Sequence, residues 1–272
     1  MPVIKVNDSS KETIKQFPIY VGVTQVKVVA INPDIKKLES LGYNVSQEPI
    51  YVTEQDEVKK VRLDFYVQNS KLRGKISFFL QDEKRMSSDK TKYEFINNYG
   101  QTTWASTLEE ALNKTSSKNN KKWFNPEGAR EAYVGESSLI AFLKEWLNTN
   151  SNDKVYIEDL AALFKGDVKE LNFYVKEAAN NVVWVLCTVS EKNGRHYQNV
   201  DNGIFVRASL SPSLVITKMS EYVTKKEKDN FPVKGYHGLE FKEFIPPIPK
   251  VVLPDQEEET PREPGVDDTI PF

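Results

Sequence analysis

Apolar and polar positions alternate along several stretches of the chain, and they set out most of its elements. YVGVTQVKVVAI (Tyr20–Ile31) is apolar and rich in β-branched residues, which predicts a strand. Ile35, Leu38 and Leu41 follow at helical spacing, and Gly42 is a C-terminal stop, so a short helix or turn is predicted. Over Val58–Asn69 the residues Val61, Leu63, Phe65 and Val67 alternate with Lys60, Arg62, Asp64 and Tyr66. A period of two with one apolar face is a half-buried strand. The polar turn NSKLRG leads into KISFFLQ (Lys75–Gln81), and two strands so closely joined predict a β-hairpin. Phe65, Phe78 and Phe79 are assigned to its core.

Residues 82–135 lose this regularity. They are rich in Lys, Asn and Ser with scattered aromatics, and read as a loop or insertion rather than a separate core; NKTSSKNNKKWFNPEG reads as a mobile loop. Leu139, Phe142, Leu143, Trp146 and Leu147 then fall on one face of a helix over Ser137–Asn148. IEDLAALFKGD continues with a shorter helical pattern ending at Gly166. Strands are predicted at Val182–Ser190 and Ile204–Leu210, with the polar GRHYQNVDNG as a long hairpin connection, and SEYVTKKEKDN as a last helix. Trp146 and Trp184 lie in apolar runs and belong to the core. About five strands with peripheral helices predict a mainly β, α+β domain over residues 1–245, a small barrel or sandwich. No internal repeat is visible. Residues 246–272 are Pro-rich and then acidic, which predicts a disordered tail.

Composition adds constraints. Of 272 residues, 28% are charged and 39% hydrophobic, a globular balance in which no apolar run reaches membrane-spanning length. The opening MPVIKVNDSSKETIK lacks an apolar core, so no secretory signal is expected. The lone Cys187 sits in VVWVLCTV and reads as a buried, inert thiol; a reducing, cytoplasmic compartment is the default expectation. His196 and His237 lie in polar loops and make no zinc site, no phosphate-loop or nucleophile-elbow motif is present, and Glu109–Glu110 read as a solvated helix start. Neither enzyme activity nor a cofactor is expected.

The overall charge of −2 conceals an asymmetry. Residues 251–272 carry seven acids and one Arg, a net −6, so the preceding 250 residues carry +4. The chain ends DDTIPF: Asp267 and Asp268 precede Ile270, Pro271 and Phe272. Such an end can seat its apolar residues in a pocket while its carboxylates meet Arg or Lys on a partner. These residues resemble the tip of bacterial single-stranded-DNA-binding proteins, which typically end Asp-Asp-Asp-Ile-Pro-Phe; Thr269 departs from that pattern. GRHYQNVDNGIFVR is a weaker echo of the turn and final barrel strand of that family. About 20 residues carry the likeness, and the larger body and the insertion at 82–135 would suit a divergent, phage-type member. The resemblance implies an OB-fold-like five-stranded barrel, no catalysis, a role in replication, recombination and repair, and recruitment of partner proteins through the tip.

Binding of unpaired strands requires cations for phosphates and rings for bases. The body supplies candidates where the two interleave: Lys59, Lys60 and Arg62 near Tyr66; Arg73 and Lys75 at the hairpin; Lys84, Arg85, Lys90 and Lys92 before Tyr93, Phe95, Tyr99 and Trp104; and Lys118, Lys121 and Lys122 before Trp123 and Phe124. Tyr197 is a further candidate ring. The acidic end could rest in the same cationic groove until DNA displaces it. An adaptor or virion protein without DNA binding is the alternative, and a nucleic-acid enzyme bearing a borrowed docking tail is a third reading. Homo-oligomerisation stays open.

Overall fold

The computed structural model describes residues 18–116, 128–149, 153–155, 157–192, 195–228 and 239–245. Lys118, Lys121, Lys122, Trp123 and Phe124, and the tail with Asp267, Asp268, Ile270, Pro271 and Phe272, lie outside the described residues.

Strand β1 (Tyr20–Ile31) is the hub of a curled antiparallel sheet. Its β-branched residues suit a pleated surface, and Val21, Val23, Val26 and Val28 are all buried. Gly22 sits at φ +102°, where a Cβ would stand 2.0 Å from the Glu240 carbonyl oxygen, so the close crossing of chain there depends on glycine. After the short helix α1 (Ile35–Ser40), β2 (Val52–Gln55) pairs with β3 (Val58–Gln68). β3 pairs with the second half of β1, and with β4 (Arg73–Lys84) in unbroken register from Lys60↔Gln81 to Gln68↔Arg73.

The first half of β1 pairs with β9 (Val182–Lys192), and β9 with β10 (Arg195–Arg207). The curl brings β10 back beside β4: the Asn202 amide donates to the Ser77 carbonyl at 3.3 Å, and the Phe205 and Phe78 rings lie 6.0 Å apart. The result is a half-barrel in a mainly β fold with packed helices.

Helix α3 (Glu136–Trp146) lies against the concave side. Phe65 meets Phe142 edge-on at 5.0 Å, Phe142 stacks near Trp146 at 6.0 Å, and Phe78 joins them. Phe65, Phe142 and Trp146 are fully buried, so this aromatic cluster contributes some of the largest side chains withdrawn from water. Helices α4 (Leu160–Leu163) and α5 (Lys169–Glu177) complete that side, while α6 (Pro212–Lys228) covers Val23, Leu186 and Val206 with Val215, Met219 and Val223. No helix among the described residues is long and apolar enough to cross a membrane.

The structure departs from the sequence reading in several elements, and α6 begins at Pro212, eight residues before the predicted helix. Residues 82–135 are not one irregular loop. Strands β5 (Tyr93–Ile96), β6 (Thr102–Ala105) and β7 (Arg130–Glu131) form a second sheet. With helix α2 (Leu108–Ser116) it encloses a small cluster of Phe95, Ala105 and Ala111. Strand β8 (Tyr133–Val134) joins the edge of β4. These strands are too short to show periodicity. Second, the polar stretch predicted as a connection is the first half of β10: Arg195–Val200 pair with Lys192–Cys187. The backbone ladder holds it there, and exposed side chains hide the strand from a hydrophobicity pattern. Third, α5 carries a single fully buried residue, Leu171, too narrow a stripe to read. Strand β11 (Lys242–Glu243) pairs with the start of β1.

Cys187 is fully buried, and burial pushes its thiol up to about 12. The thiolate is the reactive form, so the native chain is expected to resist iodoacetamide at pH 8 and to be labelled only after denaturation. Mass spectrometry of native and urea-treated samples checks this; equal labelling would contradict the buried placement.

Candidate functional site

The outward face of the β3–β4 hairpin builds the site. Ile76, Phe78 and Leu80 point into the core, so alternation sends Arg73, Lys75, Ser77 and Phe79 outward. On β3 the outward set is Arg62, Asp64 and Tyr66. The register places Arg62 opposite Phe79, Asp64 opposite Ser77, and Tyr66 opposite Lys75. Cations and rings from distant sequence positions thus share one face.

Two segments wall this face. On one side runs the connection between α1 and β2. Its Tyr43 hydroxyl donates to the Val67 carbonyl at 2.8 Å, and its ring meets Tyr66 edge-on at 4.9 Å. Tyr51 anchors the far end by donating to the Pro33 carbonyl at 2.8 Å, and the Arg62 guanidinium lies 5.7 Å from its ring. On the other side stands β10. The Gln198 amide fills a place in the backbone ladder: Tyr20 N–H donates to its Oε1 at 2.7 Å, and its Nε2 donates to the Tyr20 carbonyl at 2.9 Å. Gln198 is thereby held, while its neighbour Tyr197 stays 46% exposed.

Between the walls lies a cleft of about 530 Å³ lined by Tyr43, Arg62, Tyr66, Arg73, Lys75 and Tyr197. A second hollow of about 300 Å³ shares Tyr43, Arg73 and Tyr197 and adds Lys71 and His196, so the two form one channel. Arg62, Lys71, Arg73 and Lys75 outnumber Glu48 among its ionisable lining, apart from Asp64, which is sealed beneath. Burial raises the Tyr43, Tyr51 and Tyr66 hydroxyls above the ordinary tyrosine value, so no phenolate opposes an anion here at neutral pH. Among the described residues no three His, Cys, Asp or Glu side chains gather as a metal site requires.

Five of the sequence candidates, Arg62, Tyr66, Arg73, Lys75 and Tyr197, therefore come together. Tyr66 needs a correction in role. It is 6% exposed, covered by Tyr43, and offers no open ring face; it is the floor of the cleft and not a stacking platform. Lys59 and Lys60 sit at the far end of β3 opposite Glu54 and Thr53, where Lys60 donates to Gln55 at 3.0 Å. Tyr99 lies in the turn after β5, and Trp104 on β6 lies 6.0 Å from the Arg85 guanidinium; neither lines the cleft. Lys121, Lys122 and Trp123 are outside the described residues.

Phe79 is the residue that sequence reasoning misplaced. It is 61% exposed on the same outward row as Lys75, not in the core. The signal was available, because adjacent residues in a strand face opposite ways and Phe78 and Phe79 cannot both point inward. Tyr43 and Lys71 were also missed; neither lies in a cation–aromatic cluster along the chain. No protein-family model, curated protein or solved structure matches this chain.

Proposed function

We propose that this chain binds single-stranded DNA without strong sequence preference, along the cleft over β3–β4, as a non-enzymatic protein of replication, recombination and repair. The convergence of Arg62, Lys71, Arg73 and Lys75 with the exposed ring of Tyr197 along the cleft carries this reading; Phe79, outside the cleft lining, is exposed on the same strand face opposite Arg62. Cations hold the phosphates, and rings accept bases of any identity because every base has a π face.

The strand order supports an OB-type barrel as the finer description. Taking β1, β3, β4, β9 and β10 as the five strands, the cleft lies over the second and third. It is walled by the connection between the first two and by the start of the fifth, the places where that fold takes oligonucleotides. From Arg73 to Phe79 the outward row is about 20 Å long, room for a few extended nucleotides. On the same reading Asp267, Asp268, Ile270, Pro271 and Phe272 recruit partner proteins, an assignment that rests on their sequence alone.

Fluorescence anisotropy of a labelled oligo-dT at ~50 mM salt tests the proposal, with affinity falling as salt rises. Tyr197→Ala and Phe79→Ala should each weaken binding by about 1–3 kcal/mol, the value of one stacked base. No binding by the wild-type chain at low salt would sink it.

A further inference from the structure

Beneath the cleft, in contact with two of its lining cations, lies a feature that a phosphate-binding surface does not obviously call for, a carboxylate. Asp64 is fully buried beneath the outward face, and one of its oxygens, Oδ2, meets both Lys75 Nζ at 2.9 Å and Arg62 Nε at 3.2 Å. The other, Oδ1, accepts from the Ser77 hydroxyl at 2.6 Å, which stops the carboxylate from rotating. Its backbone is held as well: Asp64 N–H donates to the Asn32 side chain at 2.7 Å, and Asn32 N–H donates to the Asp64 carbonyl at 3.1 Å. The anion is sealed while its cations are not, for the Arg62 and Lys75 side chains keep 33% and 45% of their surface.

We infer that Asp64 is a positioning residue that builds a two-cation seat for a single backbone phosphate; this rests on the reading of the cleft above. Both nitrogens lie within ion-pair distance of the same oxygen, which gathers them within about 6 Å of each other, Lys75 through a hydrogen bond and Arg62 Nε through charge alone. A phosphate entering from solvent meets two cations already gathered. Long Arg and Lys side chains otherwise lose rotamer freedom on binding, a cost of about 0.5–1.5 kcal/mol for each one immobilised. Asp64 has imposed that order before the strand arrives. The carboxylate attenuates the local positive charge, and the gain in order outweighs that loss.

The two effects predict opposite signs, which makes the inference testable. If charge alone mattered, Asp64→Asn would tighten binding by removing an anion. If positioning dominates, D64N weakens oligo-dT binding about five- to tenfold. It also makes the salt dependence shallower by about 0.7 in the log–log slope, one phosphate contact. A merely structural role would lower the melting temperature and leave that slope unchanged. Ser77→Ala is the second variant: it keeps the charge, frees the carboxylate to turn, and should weaken binding about threefold with the fold intact. Equal or tighter binding by D64N, or an unaltered salt slope, overturns the inference and leaves the cleft as the binding site. If D64N does not fold, unchanged binding by S77A overturns it. Failure of the wild-type chain to bind oligo-dT overturns the reading of the cleft and this inference with it.

Discussion

The combined variant Lys71→Gln, Arg73→Gln and Tyr197→Ala loses about a hundredfold or more in affinity for oligo-dT while its melting curve stays close to that of the parent. All three side chains are exposed and line the channel between the α1–β2 connection and β10. None of them contacts Asp64, so the buried ion cluster survives the change. Loss of two phosphate contacts lowers the slope of log affinity against log salt by about 1.4, and loss of a stacked base adds about 1–3 kcal/mol that does not depend on salt. Surface substitutions of this kind ordinarily move stability by about 0.5 kcal/mol or less. Titrations at several salt concentrations separate the two contributions, because the electrostatic part fades as salt rises and the stacking part does not. A protein that acts only as an adaptor would show no oligo-dT affinity for the variant to lose.

The second large effect concerns stability. Arg130→Met should destabilise the fold by about 3–5 kcal/mol. Glu136, the first residue of α3, is fully buried, and its carboxylate is held by both terminal nitrogens of Arg130 and by the Tyr133 N–H at 3.0 Å. Removal of the guanidinium strands a charge in a place water does not reach, and that uncompensated charge is the source of the cost. The double change Arg130→Met with Glu136→Leu should recover most of the loss, since removing both partners leaves no orphaned charge. Urea unfolding reads the difference directly, with the slope in denaturant unchanged if the compactness of both states is preserved. If Arg130→Met alone melts like the parent, Glu136 is reached by solvent.

The junction matters to the site as well. Gly135, just before α3, sits at φ +86°, and a Cβ there would stand 1.9 Å from the Phe79 carbonyl oxygen. The start of α3 therefore rests directly on the strand that displays Phe79 and Lys75. Loosening the Arg130–Glu136 pair should relax that edge of β4, and amide exchange at Phe79–Gln81 would rise with it.

How much of this could be read beforehand differs from element to element. β1 spans Tyr20–Ile31 as its β-branched run predicts, β3 ends one residue short of its predicted boundary, and the buried face of α3 is the apolar stripe of Leu139, Phe142, Leu143 and Trp146. Lys75 and Arg62 face outward as the alternation around them requires. Tyr66 belongs to the same outward row, yet it is covered, because Tyr43, 23 residues earlier, folds back onto it. Tyr197 belongs to a stretch without hydrophobic periodicity and reaches the cleft only because β10 pairs with β9 and Gln198 bonds to Tyr20.

The sequence by itself determined β1, β3, β9 and the middle of β4, the core-facing helix and the outward placement of cations on the β3–β4 hairpin. Those features follow from backbone periodicity, which acts between neighbours two to four residues apart. The tertiary structure alone decided that the outward face becomes a walled channel, that Asp64 is sealed beneath Arg62 and Lys75, and that Phe79 stays open while Tyr66 does not. Those outcomes depend on which distant segment comes to lie over a given side chain, and curling of the sheet, not the local pattern, brings such segments together.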